Sequence, residues 1–568
     1  KQRAIGEKPP YGLNDPGERK IMAIKKTRLS ALVAATAAAA MVLSACQSGD
    51  SGSAGGGEGG GDQPELPNVD MTKAEADEVQ DGGELTLPLT EWPGNFNISQ
   101  ADGALVDVND MYGPTVSGGI KLDAEGKAEA NPDYIESMEL TGDNPTTVKL
   151  KYNKDAVWDD GTPIDGEDLK AFWEATNGKK EDYQVASTQG WESIKSVEVG
   201  SDKKEVTITY DGVFGDWQNY VFPLLPNEVS SDAKKFNEGF KDEFVPASGP
   251  FKATKLDKSA KTVTMEPNDK WWGDKPKLDK ITYRVVSQPQ QGQAFANKEI
   301  DLVNIGTDGD AYETAKNRGD AKIYKSTGLM YTHLTMNATR PGLKDEKVRE
   351  AIGMAVNRDV IGQAAVGPVE APVINVNNYT FMPGQDGYQD NTDGWAQHKP
   401  EDAEKILQDA GYEKNDDGVY EKDGEKLEFS VVVPADTASN EKRAKQVMND
   451  LNKIGMKVKL DTVPADKYFT DYVTPKNFDM VTFSWQGTPF PITTTANLFY
   501  PAESQQNYFG ISNEDIGKAV KASQNEADPD KRLELANEMD KQFWAEKVMI
   551  PFYATPTVLG VSEDVVNL

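Results

Sequence analysis

The sequence predicts a mixed α/β protein of two or three domains, and three observations carry that prediction. The chain has 568 residues, more than a single hydrophobic core accommodates. Its first half contains short stretches in which apolar and polar residues alternate, the two-residue period of half-buried strands. Its second half alternates helix-period with strand-period segments, the order expected of helices packed on a sheet.

In the first half, ELTLPL places Leu85, Leu87 and Leu89 on one face. TTVKLKY, EVTITY, TVTMEP and KITYRV repeat the alternation and predict four more strands. Between them, WDDGTPIDGEDLKAFWEAT predicts a helix with Asp165 as its N-cap and Asp168, three residues on, closing a capping box. The acidic run Asp159, Asp160, Asp165, Glu167 and Asp168 is rich enough for a glycosidase-like carboxylate pair. Turn and cap chemistry nevertheless accounts for every member, so a hydrolase is the least favoured reading and no enzyme is expected.

In the second half, Asp345 is placed to cap a helix whose Val348, Ala351, Ile352, Ala355 and Val356 share one face. PEDAEKILQDAGY is a shorter helix closed by Gly411. Asp423-Gly424 predicts a hairpin turn leading into a buried strand at 429–433. A helix over about 440–454 stops at Gly455, and the strand MKVKLDTV follows. A helix over about 466–473 then leads to the strand FDMVTFSW. No repeat of solenoid period is present.

The N-terminal region is of another kind. Residues 1–21 precede Met22 and are read as upstream sequence outside the fold. Lys25, Lys26 and Arg28 precede a fifteen-residue apolar run, Leu29–Leu43, the length of a signal-peptide core and short for a membrane span. Leu43, Ser44, Ala45 and Cys46 resemble the bacterial lipoprotein box, which makes 22–45 a signal peptide and Cys46 the lipidated residue. Two or more acyl chains on that residue hold a protein firmly on a bilayer. Gln47–Asp81 is rich in Gly, Ser, Asp and Glu, so 46–81 is expected to be a lipidated cysteine followed by a disordered tether. Its root-mean-square span is roughly 30–35 Å.

Charge and composition exclude several classes. Residues 1–45 hold eight Lys/Arg and three Asp/Glu, so from Cys46 onward the chain nets −37, with 53 basic and 90 acidic residues. Such a surface repels phosphate backbones, and no nucleic-acid partner is expected. The single cysteine rules out an internal disulfide. His333 and His398, the only histidines, lie far apart, so neither a metal site nor a cofactor is expected.

Several segments resemble the family 5 extracellular solute-binding proteins, receptors of ABC importers for oligopeptides, dipeptides and nickel. AVWDDGTPIDGEDLKAFW is similar to the family's aromatic, Asp-Gly-Thr-Pro turn and acidic helix start. SGPFKATKLDKSAKTVTMEPNDKWWGDKPKLDKITYRVV resembles its Gly-Pro-Phe, Asn-x-x-x-Trp and Pro-Lys-Leu-Asp succession. MNATRPGLKDEKVREAIGMAVNRDVI and EDAEKILQDAGY are similar to its next two helices. The likeness covers roughly 82–560. It implies a bilobed, periplasmic-binding-protein-like (type II) clamshell with an extra subdomain in the first lobe. The core of lobe I is expected at 82–110, 232–328 and 549–568, its inserted subdomain at 111–231, and lobe II at 329–548. The implied protein is a monomeric, membrane-anchored receptor on the extracytoplasmic face. It would capture a peptide or similar polar solute and deliver it to an ABC permease.

Ligands of open α/β sheets gather beyond the carboxyl ends of strands. Two such ends combine aromatic planes with polar groups: Trp92, Asn95 and Phe96 after the first strand, and Trp485, Gln486 and Thr488 after the last strand of lobe II. Tyr331 and His333 lie at the expected hinge. These eight residues are the expected ligand-binding set, and Trp485→Ala is expected to lose most of the affinity at an unchanged melting temperature. Trp271 and Trp272 read as structural. In peptide-binding relatives the loop after the equivalent of Trp485 supplies an aspartate for the peptide's α-ammonium. Here residues 486–491 contain no acid, so either another carboxylate such as Glu91 substitutes or the ligand lacks a free amine. A second function compatible with that loop is envelope assembly or signalling, independent of transport, by a lipoprotein of the same fold.

Overall fold

The computed structural model describes residues 66–568 except 123–127, 189, 436, 489, 505 and 568. The expected signal peptide, Cys46 and the tether as far as residue 65 lie outside the described residues. Strand Glu84–Leu89 forms where its leucines alternate, and it pairs in parallel with Lys280–Val285. That strand continues antiparallel through Thr262–Pro267 to Phe251–Asp257. A second, fully antiparallel sheet runs Ile135–Asp143, Thr146–Tyr152, Glu205–Tyr210, Ile194–Val199. Each sheet has its own apolar cluster, the first around Phe96, Val263 and Met265, the second around Tyr152, Trp158 and Ile208.

Helix Gly166–Thr176 begins as its sequence dictates. Asp165 accepts the Glu167 N–H at 2.8 Å, and Asp168 reaches back to accept the Asp165 N–H at 3.0 Å. Asp168 also accepts from the Asn227 N–H and the Trp158 indole, while Asp160 closes a turn on Thr162. These carboxylates are committed to backbone, which is what a structural cluster requires.

The third sheet is mixed. Its six strands take the order Leu302–Asn304, Met549–Ser562, Ala321–Met336, Met480–Gln486, Glu428–Pro434, Lys457–Val463. The last three are parallel neighbours, and the rest are antiparallel. Ala321–Met336, at 16 residues, spans roughly 50 Å. It pairs along most of its length with Met549–Ser562, with register shifts between Ser326 and Met330 and between Thr332 and His333. At the first shift the backbones crowd, and a Cβ on Gly328 would run into the Thr555 carbonyl oxygen. The expected lobe boundaries at 328/329 and 548/549 fall on these two strands. Because the strands are continuous, residues on both sides of each boundary, from Val286 to Val558, share one apolar cluster.

Three local expectations differ from the structure. The stretch 66–81, read as tether, is seated on the body. Strand Met480–Gln486 covers Ala321–Met336 only from Met330 onward, which leaves the edge at 321–327 open. Residues 67–72 fill it: Pro67 O accepts the Thr327 N–H at 3.0 Å, Asp70 accepts the Lys325 N–H at 2.7 Å, and Thr72 bonds the Tyr324 hydroxyl at 2.6 Å. An unpaired strand edge needs such partners, and Leu66 adds apolar contact. The helix expected over about 466–473 is a 3₁₀ turn, Ala465–Lys467, followed by a wide π-type turn, Tyr468–Val473. Within it the Tyr468 hydroxyl is drawn to the Thr482 carbonyl. The Asp345-capped helix ends at Ala355, so Val356, expected on its apolar face, is instead its extended C-cap, and a separate helix Arg358–Val366 follows. The other second-half elements form as read, with Gly411 and Gly455 adopting positive φ.

Candidate functional site

A narrow pocket lies where the third sheet meets the segments 379–382 and 486–498. Antiparallel register sets its first wall, because Tyr331 pairs with Trp485 and His333 with Phe483, so all four side chains project from one face. Trp485 is 5% exposed. Its ring lies parallel to His333 (centroids 6.0 Å apart) and to Tyr508 (5.8 Å), with Phe483 edge-on. Gln486 at the end of the strand, and Gly487 and Thr488 beyond it, continue this wall.

The second wall is Tyr379, Thr380 and Met382, and helix Pro529–Ala545 holds it in place. Asn537, Asp540 and Trp544 follow i, i+3, i+7 spacing and so share one helix face. Asp540 accepts the N–H groups of Tyr379 (2.8 Å) and Thr380 (3.0 Å), the Thr380 hydroxyl (3.1 Å) and the Asn391 amide (2.8 Å). Asn537 accepts from Asn378 and Asn391, and the Tyr379 ring stacks on Trp544 at 4.1 Å. Asp540 is completely buried, and burial outweighs these hydrogen bonds to push its carboxyl up to about 6. The third side is Pro491, Thr494, Thr495 and Leu498 of helix Pro491–Phe499.

Four of the eight expected ligand residues, Tyr331, Trp485, Gln486 and Thr488, meet in this pocket. His333 does not line it. It is fully buried behind Trp485, with Nδ1 3.0 Å from the Thr335 hydroxyl and Nε2 without a partner among the described residues. Burial, reinforced by the Arg443 guanidinium, lowers its pKa to about 3, so it is neutral at pH 7. Asn95 and Phe96 are also fully buried, away from the pocket. Asn95 donates to Asn237 O and accepts from the Asn97 N–H, while Phe96 packs edge-to-face against Trp92 in the first cluster. Trp92 is half-buried against that cluster, and Glu91 is not among the pocket residues. Trp271 and Trp272 pack around Tyr134.

No side chain lining the pocket carries a formal charge at pH 7. Arg443, buried nearby, bonds neutral partners, Asn440 and Thr482. The pocket encloses only about 20 Å³, room for a single water. A larger guest would extend beyond it toward solvent or part its walls. Among the described residues there is no His/Cys/Asp/Glu group able to hold a metal ion, and no helix is long and apolar enough to cross a membrane. The arrangement offers aromatic area and neutral hydrogen-bonding groups, with no paired acid and base for catalysis.

Comparison with known proteins gives a consistent result. The family model for bacterial extracellular solute-binding proteins, family 5 Middle, matches residues 129–507. The oligopeptide-binding protein OppA of Mycobacterium tuberculosis is 32% identical over 504 residues, covering 88% of this chain and 84% of its own. The solved structure of the periplasmic EDTA-binding protein EppA superposes with a TM-score of 0.78 at 25% identity, over 89% of this chain and 95% of its own. The structure of AppA from Bacillus subtilis, an oligopeptide-binding protein in complex with a nonapeptide, gives 0.66 at 22%, over 85% and 95%. The mixed α/β body has the bilobed type II fold of these structures, and the chain belongs to the bacterial extracellular solute-binding proteins of family 5.

Proposed function

We propose that this protein is a lipid-anchored receptor that captures a peptide or similar polar solute between its two lobes and delivers it to an ABC importer. The observation that carries this reading is the relationship to the mycobacterial oligopeptide-binding protein along almost the whole chain. The Tyr331–Trp485 pocket, whose lining residues all belong to lobe II, supports it as that lobe's share of the site, because aromatic planes supply area while Gln486 and the threonines supply orientation. Capture occurs between lobe I (82–328 with 549–568) and lobe II (329–548), and the paired strands Ala321–Met336 and Met549–Ser562 carry the chain between them. Cys46 holds the body at the extracytoplasmic face of the membrane, and the protein acts as a monomer.

Titration calorimetry with an alanine peptide series of three to nine residues tests the ligand class. One-to-one binding of at least one member is expected, and no binding by any member would overturn the peptide reading. For the anchor, Cys46→Ser is expected to move the chain from the membrane fraction to the soluble one. Retention in the membrane would refute lipidation at that residue.

A further inference from the structure

We propose that the part of the solute seated against Trp485 is electrically neutral, so that a peptide bound there presents a blocked amino end and not a free α-ammonium. This inference rests on the receptor reading above and narrows its ligand class.

The first argument is the chemistry of the lining. Tyr331, Tyr379, Thr380, Met382, Trp485 and Thr488 form the two main walls, and neither they nor the residues on the third side carry a charge. Pro489, the one undescribed position in the 486–491 loop, adds no acid. The hydroxyl oxygens on the third side can still accept a hydrogen bond, but as neutral groups they leave an ammonium's charge uncompensated, and their protons are already committed. Thr494 bonds Thr488 at 3.0 Å and donates to Pro491 O at 3.1 Å, and Thr495 donates to Tyr379 O.

The second argument concerns the nearest buried acid. Asp540 lies behind the second wall, with one oxygen receiving three donors from Tyr379 and Thr380 and the other receiving Asn391. Drawing it toward an incoming ammonium would strip the wall of the acceptor that shapes it. A buried network of this kind is stable only when complete.

The third argument is the field behind the first wall. Arg443 is close enough to His333 to depress its basicity, and His333 lies parallel to the Trp485 ring. A cation placed on Trp485 would thus have a buried like charge behind it. The buried Asp540 carboxylate, whose charge adds to burial in raising the Tyr331 and Tyr379 hydroxyls, stands behind the opposite wall already committed to four donors. Cation–π attraction is the competing effect. It is limited here because Trp485 already stacks against His333 and Tyr508, whereas an unpaired buried ammonium forfeits its whole hydration. A neutral amide or acyl group suffers neither penalty.

The experiment is calorimetric titration of the purified full chain with penta-alanine and with N-acetyl-penta-alanine at pH 7 and pH 9. The acetylated peptide is expected to bind about tenfold tighter or more at pH 7. The free peptide should gain affinity as pH passes its α-amine value of about 8, while the acetylated one stays constant. A free peptide that binds as tightly or more tightly at pH 7 would overturn the inference and leave the peptide receptor standing. Binding by neither would overturn both. Thr488→Asp, which places a carboxylate on the pocket wall, is expected to reverse the preference. An unchanged preference in that variant would remove this pocket as the seat of the amino end.

Discussion

The two walls of the pocket are built on opposite principles. The first is a piece of sheet, with Tyr331 and Trp485 fixed by a backbone ladder and by ring contacts with His333, Phe483 and Tyr508. The second is a loop with no strand of its own, fixed by hydrogen bonds to Asn537 and Asp540 and by the stacking of Tyr379 on Trp544. Apolar packing loses stability in proportion to the atoms removed. A buried polar network fails when any one partner is missing, because the others are stranded without water. The same pocket should therefore respond differently depending on which wall is altered.

The largest effect is expected at the first wall. Trp485 is buried in a ring stack, so Trp485→Ala should cost about 3–5 kcal/mol of stability as well as affinity. This corrects the expectation that the melting temperature would be unchanged. Denaturant titration alongside calorimetry checks it, and an unshifted midpoint would mean that the ring stack carries little energy. At the second wall, Asp540→Ala strands the donors of Tyr379, Thr380 and Asn391, and roughly 3 kcal/mol is expected to be lost. Hydrogen exchange should report it first at the amides of residues 379 and 380, and unchanged protection there would break the comparison.

Acid sharpens the contrast, because the walls respond with opposite sign. His333 is held down to about 3 from an ordinary 6.5. Between those values the unfolded chain takes up a proton that the native protein refuses, so stability falls as pH drops. His333→Phe should remove that loss, worth roughly 3 kcal/mol by pH 4. Asp540 is raised to about 6 from 3.8, so the native protein holds the proton in that window and stability rises as pH falls from about 6 to about 4. Asp540→Asn should erase a gain of roughly 2–3 kcal/mol. Denaturant midpoints of the variants against the parent, measured from pH 7 to pH 4, should diverge in opposite directions. Parallel curves would contradict the assignment.

The smallest effect concerns the mounting of the helix behind the second wall. Its first turn carries Arg532, which pairs with Asp216 at 2.7 Å, 13% and 6% exposed respectively. Gly215 leaves room for it, since a Cβ there would strike the guanidinium. Arg532→Met is expected to cost about 2 kcal/mol, between the values for exposed and fully buried pairs. An unchanged denaturant midpoint would show that the pair contributes nothing.

This difference also explains what could be read in advance. Periodicity and caps locate the strands and most helices, including the Asp165–Asp168 box, because those signals are local. Trp485 was legible because it lies where a strand approaches a loop, and Tyr331 because it lies at the expected hinge, inside strand Ala321–Met336. Tyr379 and Thr380 were not, since what orients them is an aspartate some 160 positions away in the chain. A signal for it was present in LANEMDKQFW, where Asn537, Asp540 and Trp544 mark a polar-aromatic helix face. Asn95 and Phe96 satisfy the same strand-end pattern as Trp485, yet the loop folds inward and uses them as core and backbone partner. Composition misled at 66–81, where a strand edge recruits a polar segment through its backbone.

The central claim is that a solute occupies the pocket between Trp485 and Tyr379. Native mass spectrometry of the parent chain beside Thr488→Trp, which fills the pocket from a half-buried loop position, tests it most directly. The account predicts a co-purified mass on the parent that is absent from the variant, at melting temperatures within a few degrees of each other. The same mass retained on Thr488→Trp would contradict it and move the site elsewhere.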